Sequence, residues 1–377
     1  EEADNTEQIL RNLSVLSGIE ITPNDTLIVL DEIQDCPSAL TALKYFCEEK
    51  PEIHIAVAGS LLGISMHEQK SFPVGKVDEL RLYPMIFLEF LMAMGKDKMA
   101  EELQNGNWQT ISSLSGEYID LLRQYYYVGG MPAAVLSYSE NKNINKVREI
   151  QRQILSDYEQ DFSKHAPYNE VPRIRMVWNS IPSQLAKENR KFVYGVVKDG
   201  ARAREYEDAI NWLNDSGLVR IINRVKCGDK LPLKAYEDLK AFKIYLLDIG
   251  LLRVMCELSY ETIIEKNTLY NEFNGLFTEQ FVLQELQNLK RINSIYYWTN
   301  EFTSEVDFVF NYKSKIIPVE AKAGINVRAQ SLKNFINEYN TELAIRYSLL
   351  NVLIDGNIIN IPLYTIWNTL EYIKDII

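Results

Sequence analysis

Histidine and cysteine are scarce in this sequence, with three histidines and four cysteines among 377 residues. His54, His67 and His165 are isolated from one another, and Cys36, Cys47, Cys227 and Cys256 are widely spaced. No zinc-like cluster can be read from them. The scattered thiols fit a reducing, cytoplasmic compartment. Long hydrophobic runs are missing as well. The most apolar stretch, Leu80 to Met94, is broken by Pro84 and Glu89 and is too short to span a bilayer, and the start does not resemble a signal peptide. An excess of basic charge is also absent. The net charge is -12 and the pI is near 5.0, so the mean field repels phosphates. Broad charge-driven binding to nucleic acid or to an anionic membrane is excluded, although a local basic groove is not. Internal repeats and low-complexity tracts are lacking too.

What is present is ordinary globular composition, 46% hydrophobic and 24% charged, in a chain too long for one hydrophobic core. Leu27-Ile28-Val29-Leu30 is an unbroken apolar run closing in Asp31-Glu32, as expected of a strand buried on both faces of a parallel sheet. A helix from about Ser38 to Glu49 and a second run, Ile53 to Ala58, complete one βαβ unit. From Leu80 to about Lys164 the pattern is helical, interrupted at Gly129-Gly130-Met131-Pro132. The Tyr125-Tyr126-Tyr127 run in this region reads as packing.

The segment from Tyr206 to Asp215, the cap-like Gly217 and a returning strand at Leu218 to Ile222 read as a winged-helix module. Its helix carries Glu205, Glu207, Asp208 and Asp215, which favours packing over base readout. Beyond Asn267 the order is αβββαβ. A helix runs through Glu279 and Glu285, strands cover Ile295 to Trp298, Glu305 to Phe310 and Lys315 to Ala321, a helix lies near Ala329 to Tyr339, and a strand covers Leu349 to Ile354. Tyr296, Tyr297 and Trp298 read as a core strand rather than a base-stacking platform.

Two constellations carry chemistry. A strand end can hold Asp31 on a water of Mg²⁺ while Glu32 orients or deprotonates the attacking water, and Ser60, at the end of the next strand, lies beside the γ-phosphate position in such a sheet. An Asp-Glu pair also ends strands and caps helices without any chemistry, and Ser60 can equally cap a helix. At the other end of the chain, Asp307 stands on one strand, and Glu320 and Lys322 share a side of the next. Two carboxylates can hold Mg²⁺ while an ammonium positions the attacking water, and Glu279 can supply a third acid. The same charges can instead form a buried network in a fold that docks without cutting.

Leu30-Asp31-Glu32-Ile33-Gln34, Ala58-Gly59-Ser60, Phe72-Pro73-Val74-Gly75-Lys76, Pro84 to Leu91, Gly129-Gly130-Met131-Pro132, Ser183 to Asn189 and Phe242 to Leu252 follow one another in a pattern that covers nearly the whole chain. In it the chain resembles the bacterial and archaeal AAA-type P-loop ATPases that carry a C-terminal PD-(D/E)XK nuclease-like domain of poorly defined function. Val306 stands where the proline of that motif's name would be. The resemblance implies that Asp31 and Glu32 are Walker B acids, that Lys76 senses phosphate in a place where arginine is common, and that Asp307, Glu320 and Lys322 are the nuclease-core residues. The family's G-x-x-x-x-G-K-[ST] phosphate loop does not occur in these residues, and without it they are expected to bind ATP poorly.

The expected fold class is therefore α/β: a P-loop, AAA-type parallel-sheet domain lacking its phosphate loop (1–95), a helical lid (96–165), a winged-helix module (166–235) and an αβββαβ restriction-endonuclease-like domain (236–377). The expected cofactors are ATP and Mg²⁺. DNA is the candidate macromolecular partner, a homo-oligomer the candidate assembly, and no membrane is involved. The expected function is an ATPase coupled to the winged-helix and nuclease-like tail. The alternatives are a metal-dependent DNA endonuclease regulated by the ATPase part, and a non-cutting docking switch.

Overall fold

The structure is a computed structural model. It describes residues 4–59, 75–187, 190–260, 268–300, 304–325, 328–374 and 376. The chain divides into two compact units, residues 1–82 with 211–218, and residues 83–210 with 219–377.

The first unit begins with α1 (Thr6–Ser17), capped by the Asn5 side chain and closed by left-handed Gly18. Strands β1 (Leu27–Leu30) and β2 (His54–Val57) pair in parallel around α2 (Pro37–Glu49), which is the expected βαβ unit. Pro37 fits the first turn of α2 because a residue there has no intrahelical use for an N–H. Ile33, Leu40 and Leu43 form the core, with Leu30, Ile55 and Val57 packed on them. The expectation that β1 is buried on both faces fails. Leu27 and Val29 are 60% and 62% exposed. Among the described residues of this unit, α2 covers the face that carries Leu30, Ile55 and Val57, and period-2 alternation sends Leu27 and Val29 to the other face.

The second unit starts with a helical region. It comprises α3 (Phe87–Ala93), α4 (Asp97–Asn105), α5 (Trp108–Ser113), α6 (Ser115–Val128), α7 (Pro132–Asn141), α8 (Ile144–His165), α9 (Val171–Leu185) and α10 (Tyr194–Val197). Tyr125, Tyr126 and Tyr127 are all buried, so this run packs as expected. The α6–α7 junction explains the Gly-Gly pair. Gly129 has φ +73, and a Cβ there would run into the Asp248 carboxylate, while one on Gly130 would strike the Met85 carbonyl. The Gly130 amide instead donates to Asp248 at 2.6 Å.

After α11 (Ala203–Asp215) and Gly217, at φ +76, the chain enters β3 (Val219–Val225) and β4 (Glu237–Leu246). Helices α12 (Ile249–Met255) and α13 (Thr268–Leu286) follow, then β5 (Ile295–Thr299), β6 (Glu305–Tyr312), β7 (Lys315–Ala321), α14 (Gln330–Tyr339), β8 (Ala344–Ser348), β9 (Leu353–Asp355), β10 (Ile358–Pro362) and α15 (Thr369–Ile373). The strands form one eight-stranded mixed sheet in the order β4-β3-β5-β6-β7-β8-β10-β9. Helix α14 inserts Leu332 and Phe335 against Trp298, Val306 and Val309 on one sheet face. The boundary expected between residues 235 and 236 falls inside this sheet, because β3 pairs with β4 on one side and with β5 on the other.

The strand expected at Leu349 to Ile354 is displaced. The core strand is β8, which ends at Ser348, and only Leu353–Asp355 forms a short exposed edge strand. Arg346 interrupts the apolar run that would have marked β8. It is nevertheless buried, with its Nε donating to Asn360 at 3.1 Å. Ser348 then accepts the Leu350 amide at 3.1 Å and turns the chain out of the sheet.

Candidate functional site

In the first unit, β1 delivers Asp31 and Glu32 to the carboxyl end of a parallel strand pair. The Ala58 amide donates to Leu30 at 2.9 Å and the Ile33 amide to Ala58 at 3.0 Å, which closes the turn around the two acids. Asp31 Oδ1 accepts the Glu32 amide at 3.0 Å. Glu32 adopts φ +49, a left-handed conformation uncommon outside glycine and asparagine, and both acids are exposed. Lys76 forms a 3.1 Å ion pair with Glu48 of α2. Ser60 lies outside the described residues.

In the second unit, the carboxylates meet across strands. The β6–β7 register places Phe308 opposite Val319, and therefore Asp307 beside Glu320. The Ala321 amide donates to Asp307 Oδ2 at 2.8 Å, and Lys322, just past the end of β7, pairs with Glu320 at 2.6 Å. Glu279 reaches the same place from α13. The structure thus brings Glu279, Asp307, Glu320 and Lys322 into one cluster.

Residues not expected from the sequence complete the cluster. Arg190 forms an ion pair with Glu279, whose other oxygen accepts the Tyr245 hydroxyl at 3.1 Å. Lys243, on β4, is fully buried. Its ammonium lies 2.5 Å from Glu305, 3.7 Å from Glu279 and 5.0 Å from the centre of the Tyr297 ring. A signal for two of these residues existed in the sequence. Glu305 lies two residues before Asp307, and Lys243 two before Tyr245, so each pair shares a strand face. Arg190 left no such trace.

The electrostatics follow from burial. Burial, reinforced by the neighbouring Glu279, pushes the Asp307 carboxyl well above the usual range, and Asp307 hydrogen-bonds to Glu279. Burial acts to raise Glu279 too, but Arg190 and Lys243 outweigh it and hold that carboxyl low. Glu320 is raised by burial against the opposing pull of Lys322. Asp307 and Glu279 are thus pushed in opposite directions, as expected of two carboxyls in one low-dielectric site. Glu320 Oε2 is buried and, among the described residues, finds no hydrogen-bond partner. Among the described residues, no group of three or more His, Cys, Asp or Glu is arranged to hold a metal ion.

Comparison with known proteins matches three segments of the chain. Residues 1–91 match the family model of an AAA domain. Residues 119–262 match a domain of unknown function, DUF8612, and residues 274–365 another, DUF4143. The AAA match covers the segment that carries Asp31 and Glu32. No curated protein matches the chain. Among solved structures, a Walker-type ATPase of Pyrococcus abyssi is similar at 14% identity, with 67% of each chain covered and a TM-score of 0.39. No described helix is long and apolar enough to cross a membrane.

Proposed function

We propose that the protein is an AAA-type nucleoside triphosphatase in which Asp31 holds a water of the nucleotide-bound Mg²⁺ and Glu32 polarises the attacking water. The exposed Asp31-Glu32 pair at the carboxyl end of parallel β1, within the AAA-matching segment, carries this reading. Bound Mg²⁺·ATP supplies the phosphoanhydride bond and the counter-charge on its oxygens. The chain's own part is to fix the two acids at the strand end. ATP turnover by the full-length protein, with and without DNA, tests the assignment. Glu32→Gln should reduce turnover by about 10²–10⁴-fold while ATP still binds, and undiminished turnover would sink it.

A second activity is favoured by the buried Oε2 of Glu320, which has no hydrogen-bond partner among the described residues. Asp307 and Glu320 would hold one Mg²⁺, completed by water, as this ion commonly takes one or two carboxylates. The metal would activate the attacking water and stabilise charge on a phosphodiester. Lys322, tethered to Glu320, would orient that water at the strand end. This is a nuclease-like module acting on DNA and coupled to the ATPase, with α11 and the β3–β4 hairpin as its winged-helix part. Plasmid cleavage in Mg²⁺ that disappears in Asp307→Ala is the expected result. An uncut plasmid, with ATP turnover intact, would leave the docking switch as the role of this unit.

A further inference from the structure

We propose that Arg148, Arg152 and Arg253 form a binding site for a phosphate dianion, either free inorganic phosphate or the phosphate of a monoester. Among the described residues, three basic side chains are buried, Lys243, Arg346 and Arg253. The first two face carboxylates. Lys243 has Glu305 at 2.5 Å, and Arg346 stands opposite Glu320 in the β7–β8 register. Arg253, on α12, is different. Its guanidinium donates to the Leu258 carbonyl at 2.7 Å, to Gln151 Oε1 at 2.6 Å and to the Tyr127 carbonyl at 3.3 Å, and it lies 3.9 Å from the centre of the Tyr127 ring. These partners are neutral. Asp248 pulls on Arg253 without pairing with it, since the Asp248 oxygens are taken by the Gly130 and Leu251 amides. A buried cation left in this condition is costly unless an anion supplies the balance.

The helix packed against it adds charge of the same sign. Arg148 and Arg152 are one turn apart on α8, on the face where Gln151 meets Arg253. Burial pushes the Arg253 guanidinium down to about 10, Tyr127 opposes this, and Arg148 and Arg152 both reinforce it. Arg148 Nε is buried and, among the described residues, has no hydrogen-bond partner, whereas Arg152 is exposed. The three arginines thus descend from solvent into the interior. Repelling cations gathered in a chain of net charge -12 call for an anion between them. Guanidinium forks match phosphate oxygens bidentately, and several forks together suit a phosphate dianion better than a carboxylate, which one fork satisfies. The cluster is compact, so one phosphate group fits it better than a nucleic-acid backbone, which needs a row of contacts.

The test is titration calorimetry of the full-length protein with inorganic phosphate and with glycerol 3-phosphate at fixed ionic strength. Inorganic phosphate should bind, and Arg148→Gln and Arg152→Gln should each weaken that binding about 10-fold or more. Binding of glycerol 3-phosphate as well would identify a monoester as the occupant, and its failure beside phosphate would identify the free ion. Without phosphate the double variant should melt no lower than the parent protein, because it removes cations that repel Arg253, so a loss of binding is not a loss of fold. Absence of phosphate binding, or binding unchanged in the double variant, would overturn the proposal. Acetate binding as tightly as phosphate would overturn it too, as would displacement of phosphate by a DNA oligonucleotide lacking terminal phosphates.

Discussion

The two acid sets of this chain sit in opposite media. Asp31 and Glu32 stand exposed at the end of a short parallel strand pair, where water solvates them and no internal counter-charge is needed. Glu279, Asp307 and Glu320 are buried within an eight-stranded sheet and its helices. There, each ionised carboxylate must find a cation or keep a proton. Acids at a solvated strand end can serve a ligand at little cost to folding. Acids in a core serve a ligand only if the protein has already arranged their charge balance.

That contrast predicts where substitutions hurt. Lys243→Met should be the most damaging to stability, because it removes the buried cation paired with Glu305 and leaves Glu279 to Arg190 and Tyr245, at a cost of ~3–5 kcal/mol. Urea unfolding would show it, and a second change, Glu305→Gln, should recover part of the loss. A loss no larger than that of a surface lysine would mean that the buried network is not what holds this region together.

Glu285 probes the same principle through pH. Burial pushes this carboxyl up to about 8 from an ordinary 4.5, while it accepts the Phe87 amide at 2.8 Å. In that window the folded protein keeps a proton that the unfolded chain releases. Its contribution is therefore complete below 4.5 and is lost as pH rises toward 8, at no more than about 1.4 kcal/mol per pH unit. Glu285→Gln keeps an acceptor for Phe87 and should flatten the fall in urea midpoint between these limits. An unchanged slope would assign that pH dependence to another group.

The smallest effect is expected in the first unit. Lys76→Ala removes a partly exposed pair with Glu48 and should cost less than about 1 kcal/mol. If Lys76 senses phosphate, the substitution should instead weaken ATP turnover at nearly constant stability, which would separate its two possible roles.

How far the sequence revealed this arrangement depends on how local each signal was. Asp31 and Glu32 were legible because a strand run and its terminal acids are adjacent. Asp307, Glu320 and Lys322 were legible because alternation along two consecutive strands places them together. The burial of β1 was misjudged because an apolar run does not say how many layers will cover it, and Leu27 and Val29 remain exposed. Strand β8 was displaced because Arg346 looked like an interruption, whereas Asn360 from β10 makes its burial tolerable. Arg190 left no trace as a site residue, and the alternation that pairs Lys243 with Tyr245 gave no hint of their acidic partners. Their partners lie far away in sequence, and only the pairing of β4, β3, β5 and β6 brings the basic and acidic ends together. The glycines at 129 and 130 mark a tight junction in the sequence, but that the junction closes on Asp248 required the fold.

The central claim is that the exposed acids of the first unit carry out nucleotide hydrolysis. The most direct measurement is steady-state ATP turnover by the full-length protein beside its Glu32→Gln variant, with ATP binding followed in parallel. Turnover that collapses while binding persists is the predicted result. Equal turnover in the two proteins would contradict the account.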